Sequence, residues 1–155
     1  MAKKQQKHFT DSIYYDLEQT ARLMKKSANQ LFEKIDMGLN FDEYTVLDTI
    51  SCNAGICQRD LAKLILKDRA NTGRILDTLE EIGLITRFID TKNNRLVKKM
   101  GITEKGLKKL KEISDRIESH FTNTTKSFSE EEIDALQLTL RRFKNSIEEF
   151  VKMNI

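Results

Sequence analysis

Proline is absent from this 155-residue sequence, so no pyrrolidine ring or missing N–H stands in the way of long helices. The six glycines fall mostly near the ends of predicted elements, where helices stop. Only two cysteines are present, Cys52 and Cys57, which supports neither a disulfide framework nor a zinc cage. The two histidines, His8 and His120, stand apart from clustered carboxylates or thiols, and no metal site is expected. No apolar run approaches the ~20 residues of a membrane span. Residues 1–8 hold no apolar h-region, so secretion is not expected and the cytoplasm is. A Gly-rich phosphate loop, a nucleophile elbow and paired carboxylates in a plausible cleft are also missing. The sequence therefore does not read as an enzyme, and neither a catalytic residue nor a cofactor is expected.

What is present is charge and helical periodicity. A chain with 39% hydrophobic and 33% charged residues is polar for a compact globule, and suits a helix-rich protein with much solvated surface. Its length allows one domain, residues 1–155, with a core that removes roughly 68–70% of the unfolded surface from water. The net charge of +3 decides little, but its distribution decides more. Residues 57–109 hold 13 Lys/Arg against 7 Asp/Glu, a net of +6; the rest of the chain is net negative. A local basic excess of this kind is what phosphate binding requires.

Three long amphipathic helices are predicted. Residues 11–37 carry Ile13, Leu17, Ala21, Met24, Ala28, Leu31 and Ile35 at alternating spacings of four and three, the stripe of a helix that packs on another. Thr10 is the expected N-cap, and Gly38 lies past the end. Leu107, Leu110, Ile113, Ile117 and Phe121 mark a second, with Thr103 as its N-cap. Ser129-Glu130-Glu131-Glu132 is a capping box that opens a third, with Ile133, Leu136, Leu140, Phe143, Ile147 and Phe150 on one face. The polar run from residue 122 to 127 separates the last two. Stripes at both chain ends point to a two-fold dimer, with residues 9–38 and 104–155 as the dimerisation region.

Between them, residues 41–103 read as three short helices followed by a β-hairpin. In the first helix, residues 41–50, Tyr44, Leu47 and Ile50 point inward and Asn40 or Asp42 lies at the start. Asn53-Ala54-Gly55 ends it, and Ile56 can add a short strand. Residues 58–65 form the scaffold helix, Leu66-Lys67 the turn, and Asp68 caps a third helix over residues 69–82. There Thr72, Ile75, Leu76, Leu79 and Ile82 fall within a sector about 120° wide and face the core. Ala70, Gly73, Arg74, Asp77 and Glu81 lie opposite, with Arg69 and Asn71 flanking the first turn. Arginine can fork onto guanine O6/N7 and asparagine can pair with adenine N6/N7, while the helix N-terminus attracts phosphate. Gly83 ends this helix. Residues 84–89 and 95–100 have strand composition around a turn at residues 90–94. Lys92, Asn94 and Arg95 sit at or beside the tip, able to enter a minor groove or grip phosphate. The predicted class is mainly α with a small β-hairpin wing: a winged helix-turn-helix flanked by long dimerisation helices.

These residues resemble the MarR/SlyA family of transcription regulators. Asp68-Arg69-Ala70-Asn71-Thr72 resembles the start of the family's recognition helix. Leu79-Glu80-Glu81-Ile82-Gly83-Leu84-Ile85 is similar to its L-E-x-x-G-L-I end, and Ile102-Thr103-Glu104-Lys105-Gly106 to its L-T-x-x-G exit from the wing. The resemblance implies a homodimer whose two winged heads bind an inverted repeat in double-stranded DNA, with half-sites about one helical turn apart. It also implies repression relieved by a small, often phenolic, effector or by cysteine oxidation. DNA contacts are expected from Arg69, Ala70, Asn71, Gly73 and Arg74 of the helix and Lys92, Asn94 and Arg95 of the wing.

Two positions depart from the family pattern. Its wing usually reads Asp-Arg-Arg where this chain has Asn93-Asn94-Arg95, so the bracing aspartate is absent and the groove-inserting arginine has become shorter and uncharged. That weakens the expected minor-groove attraction. Gly73 stands where threonine is common, offers no side-chain contact and costs the helix roughly 0.5–1 kcal/mol relative to alanine. The alternative functions are thus a winged interaction protein with weak or lost operator recognition, or a redox-sensing regulator. For the latter, Cys57 at a predicted helix start is the candidate thiol, alone or with Cys52; incidental cysteines are the simpler reading. Tyr14 and Tyr15 are candidates to line a ligand cavity, with core packing as their other role.

Overall fold

The computed structural model describes residues 8–151; the opening stretch read for a leader lies, apart from His8, outside them. A short 3-10 turn at Phe9–Asp11 precedes α1 (Ile13–Ile35). The order then runs α2 (Phe41–Cys52), α3 (Gln58–Leu64), α4 (Arg69–Glu81), β1 (Ile85–Lys92), β2 (Arg95–Ile102), α5 (Glu104–Thr125) and α6 (Glu130–Glu148). The chain forms two compact parts, residues 1–41 and 42–155.

In the first part, α1 starts at Ile13, the first residue of its apolar stripe and two residues later than a Thr10 cap would place it. Ser12, not Thr10, is the N-cap: its hydroxyl accepts from the Tyr15 N–H at 3.3 Å and donates to the Phe9 carbonyl at 2.5 Å. The 3-10 turn takes up Thr10, so the next hydroxyl residue meets the free N–H groups of the first turn. Toward the C-terminal end of α1, Ala28 and Phe32 are buried. The Phe32 ring meets Phe41 edge-on at 5.7 Å, and Lys25 Nζ stands 5.1 Å from the centre of the Phe41 ring.

The second part is built around a core to which every element from α2 to α5 contributes. Val46, Leu47 and Ile50 of α2, Leu61 and Ala62 of α3, Leu76 and Leu79 of α4, Leu84, Ile85 and Met100 around the hairpin, and Ile113 of α5 are all sealed from water. Val46 joins Leu47 and Ile50 in this core, while Tyr44, expected inward, is only half-buried. Thr72 is fully buried and its hydroxyl donates to the Asp68 carbonyl at 2.8 Å, so burying it leaves no unpaired polar atom. Between α3 and α4 the chain turns at Leu66, which adopts a left-handed φ of 54°. Such a value is uncommon for leucine, and this is the turn of the helix-turn-helix.

One inward assignment fails at a helix end, and the apolar stripe of α5 divides between core and surface. Ile82 is 37% exposed because α4 stops at Glu81 and the chain leaves through Gly83, φ 78°. Leu107, in the first turn of α5, is 52% exposed. Leu110, Ile113 and Ile117 do face inward. Helix α5 also runs on to Thr125, so the polar stretch expected to separate the two last helices is largely helical.

The join between hairpin and α5 is the tightest packing in this part. Thr103 caps α5, accepting from the Gly106 N–H at 3.0 Å and donating to the Gly83 carbonyl at 2.8 Å. Leu84 O also accepts from the Thr103 N–H at 3.0 Å. A Cβ on Gly106 would stand 2.2 Å from that same Leu84 oxygen, so glycine here sets how closely the helix approaches the hairpin. At the start of α6, Ser129 and Glu132 close the capping box in both directions, at 3.1 and 2.9 Å.

Candidate nucleic-acid interface

The exposed face of α4 is ordered before any partner arrives. Asp68 accepts from the Asn71 backbone N–H at 2.8 Å and from the Asn71 side-chain amide at 2.6 Å. The Asn71 carbonyl oxygen in turn accepts from Arg74 Nη2. Hydrogen bonding by Asn71, its backbone N–H foremost, holds the Asp68 carboxyl below the usual aspartate range. Asp68, Asn71 and Arg74 thus form one chain along the first turn, with Arg69 and Ala70 exposed beside it. In this state both ends of the Asn71 amide are engaged. The amide still keeps a second N–H and a second carbonyl lone pair for an adenine edge.

Gly73 is not on the open part of this face. It is half-buried where α4 meets α3, and a Cβ there would stand 3.4 Å from Gln58 Nε2. That is ordinary contact with the far end of one side chain, so packing does not require glycine here, and nothing in the structure explains the missing side chain.

The hairpin is longer, and its turn shorter, than strand propensity suggests. Pairing runs without interruption from Ile85 opposite Ile102 to Lys92 opposite Arg95. Only Asn93 and Asn94 are left to turn the chain, with φ of 51° and 59°. Two consecutive left-handed residues are the requirement of the turn whose twist matches paired strands, and asparagine tolerates it. Asp90, Thr91 and Lys92 therefore belong to the strand. The proposed short strand at Ile56 takes the form of a single bridge, Cys57 opposite Lys99, with the Met100 N–H donating to the Ile56 carbonyl at 2.9 Å.

Most wing cations near the body of the head are paired within the protein. Lys92 Nζ is bound to the Asp60 carboxylate of α3, and Lys99 Nζ lies 2.8 Å from Asp90. These lysines, through their hydrogen bonds, hold both aspartates below their usual range. Arg87 Nη2 lies 2.5 Å from Asp77 and 3.1 Å from Glu80. Arg95, beside the tip, is exposed. A cleft of about 500 Å³ between α3 and the wing is lined by Arg59, Lys63, Lys92 and Arg95, with Asp60 and Cys57. Nothing in the sequence links Asp60 to Lys92, 32 residues away; only the fold brings them together.

The remaining candidates lie elsewhere. Cys57 is buried and Cys52 exposed, both as free thiols, and Cys57 Sγ is 3.9 Å from Lys92 Nζ. Tyr14 is exposed in the first turn of α1, and Tyr15 meets the Phe9 ring edge-on at 6.1 Å. Among the described residues there is no group of three or more His, Cys, Asp or Glu able to hold a metal ion. No described helix is long and apolar enough to cross a membrane.

Comparison with known proteins agrees with this arrangement. The sequence model of the MarR family matches residues 39–97. Over 146 residues, 92% of this chain and 95% of the other, the sequence is 33% identical to the uncharacterised HTH-type transcriptional regulator YybA of Bacillus subtilis (strain 168). The chain belongs to the MarR family. This MarR-family transcriptional regulator has the winged helix-turn-helix DNA-binding fold, mainly helical with one two-stranded wing. The crystal structure of the transcriptional regulator SlyA superposes with a TM-score of 0.75 at 30% identity, covering 91% of this chain and 99% of that one. A Staphylococcus aureus MepR–DNA complex shares the fold at a TM-score of 0.72 and 22% identity, over 90% and 99% of the two chains.

Proposed function

We propose that the chain acts as a homodimeric repressor in the cytoplasm, binding an inverted repeat in duplex DNA and performing no catalysis. The observation that carries this reading is the exposed Asp68–Asn71–Arg74 face of α4 beside a two-residue-turn wing bearing Arg95. Arg74 and Asn71, with Arg69, Ala70 and the backbone at Gly73, meet base edges and phosphates in the major groove. Arg95, Asn94 and Lys92 approach the backbone or minor groove. MepR, a relative in fold, was solved bound to DNA. Residues 41–103 serve as the DNA-binding module of a single domain spanning residues 1–155, and residues 9–38 and 104–155 pair the protomers. Leu136, Leu140 and Ile147 of α6 are 53%, 41% and 43% exposed, which supports a helix face that a second chain covers.

A small effector remains part of this reading, with Tyr14 and Tyr15 at the start of α1 as the candidate lining. The groove of about 830 Å³ that includes Leu140 and Ile147 belongs to the α6 face assigned above to the second chain. Cys57 is buried and only Cys52 is exposed, which favours incidental cysteines over oxidant sensing.

Binding to its own promoter region tests the reading. Affinity should fall steeply with salt, each phosphate contact adding about −0.9 to the log–log slope. An intact dimer that binds no duplex at low salt would leave only the interaction-protein alternative, which the internally paired wing cations favour.

A further inference from the structure

Arg87 is a cation of the wing, yet its surroundings differ from those of a phosphate contact. Its side chain is 18% exposed, and one terminal nitrogen faces two carboxylates of α4, Asp77 at 2.5 Å and Glu80 at 3.1 Å. Its backbone N–H also donates to the second oxygen of Glu80, at 3.2 Å. Glu80 therefore holds both the side chain and the main chain of one β1 residue. These hydrogen bonds lower the Glu80 carboxyl and raise the Arg87 guanidinium from their ordinary ranges, each group acting on the other.

Arg87 sits in the third position of β1, two residues after the strand leaves the core at Ile85. Asp77 and Glu80 lie one helical turn apart on α4, downstream of Arg74. A planar guanidinium held by two carboxylates from one helix fixes direction as well as distance. The tie spans the two elements that must meet DNA in register, the groove-facing helix and the wing.

We propose that Arg87 is a positioning residue for DNA readout, clamping β1 to α4 through Asp77 and Glu80 so that the wing stands at a set angle to Arg74 and Asn71. This rests on the DNA-binding reading above and deepens it. Arg87 touches no phosphate; its charge is neutralised within the protein.

The clamp and a direct phosphate contact predict opposite results. Arg87→Met should weaken binding to the selected site by about tenfold more than it weakens binding to random duplex, with the salt slope unchanged. A phosphate contact would instead weaken both classes of DNA alike and reduce the slope by about 0.9. The carboxylate side separates them further. Asp77→Ala/Glu80→Ala removes two negative charges near DNA, so electrostatics alone would tighten binding to every duplex. The clamp predicts weaker binding to the selected site, and about tenfold faster hydrogen exchange of the Arg87 amide in the free protein. A fall in slope for Arg87→Met, tighter site binding by the double variant, or an unchanged Arg87 amide overturns the assignment. If the unaltered protein binds no duplex, the DNA-binding reading fails and the assignment with it. If it binds and the variants behave as electrostatics demands, only the assignment fails.

Discussion

Arg74→Ala is expected to lower affinity for the selected DNA site by roughly fivefold to more than a hundredfold, the ~1–3 kcal/mol of a forked base contact. Binding to random duplex should change far less. The difference follows from where Arg74 stands. It is exposed on the first two turns of α4 and tethered to Asn71, which is tethered to Asp68. The guanidinium is therefore held over the surface that would enter a major groove, at little further ordering cost on binding. Removing it takes away the base-reading group and also releases the Asn71 carbonyl. Competition binding with specific and random duplexes at fixed salt measures both effects. Equal loss on the two DNAs would mean that Arg74 grips backbone and reads no base.

Gly106→Ala is expected to destabilise the protein clearly, since its added Cβ makes the shortest approach of any glycine in this chain. The new Cβ would lie 2.2 Å from Leu84 O and 2.7 Å from Ile102 Cγ1. Neither the oxygen, which is backbone and already accepts from Thr103, nor the cap that fixes the helix start can yield alone. Overpacking of this kind costs about 1–3 kcal/mol and occasionally more, against roughly 1 kcal/mol gained from alanine's helix propensity. Because the 2.2 Å clash is with backbone, the cost falls at the upper end of that range, and a net loss of ~2 kcal/mol corresponds to a Tm lower by roughly 4–8 °C for a chain of this size. Thermal unfolding at fixed protein concentration checks it; a Tm within a degree of the parent would show that α5 can slide off the hairpin without cost.

The parts of the fold written in local chemistry were legible in the sequence. Asp68, Thr103 and Ser129 each cap the helix expected of them, because an N-cap needs only a short polar side chain and the free N–H groups next to it. The inward set Leu76 and Leu79 follows from helical periodicity in the same way. Ser12 was missed in favour of Thr10 because both hydroxyls suit a cap, and the choice depends on a 3-10 turn that no periodicity announces. The wing reads shorter in the sequence than in the structure because Asp90 and Lys92, on either side of Thr91, have poor strand propensity. Pairing opposite Leu96 and Arg95, together with the ion pairs to Lys99 and Asp60, keeps them in the ladder; strand propensity reflects cross-strand context of this kind.

The residues expected to face DNA are legible as types but not with their partners inside the protein. Arg69, Asn71 and Arg74 are all exposed on the N-terminal turns of α4. Gly73, by contrast, stands against Gln58 of α3, and Lys92 is held by Asp60. Each of these depends on a contact between elements far apart in sequence. Arg87 drew no attention for the same reason: its partners lie seven and ten residues back, across the turn from helix to strand.

The central claim is that two copies of this head read an inverted repeat. Selection of the full chain on random duplex DNA tests it most directly. The account predicts enrichment of a sequence with two-fold symmetry, its half-sites centred about 10 base pairs apart or a multiple of that, and loss of that enrichment in Arg74→Ala. Recovery of duplexes with no shared sequence, from a protein that remains dimeric, would contradict it.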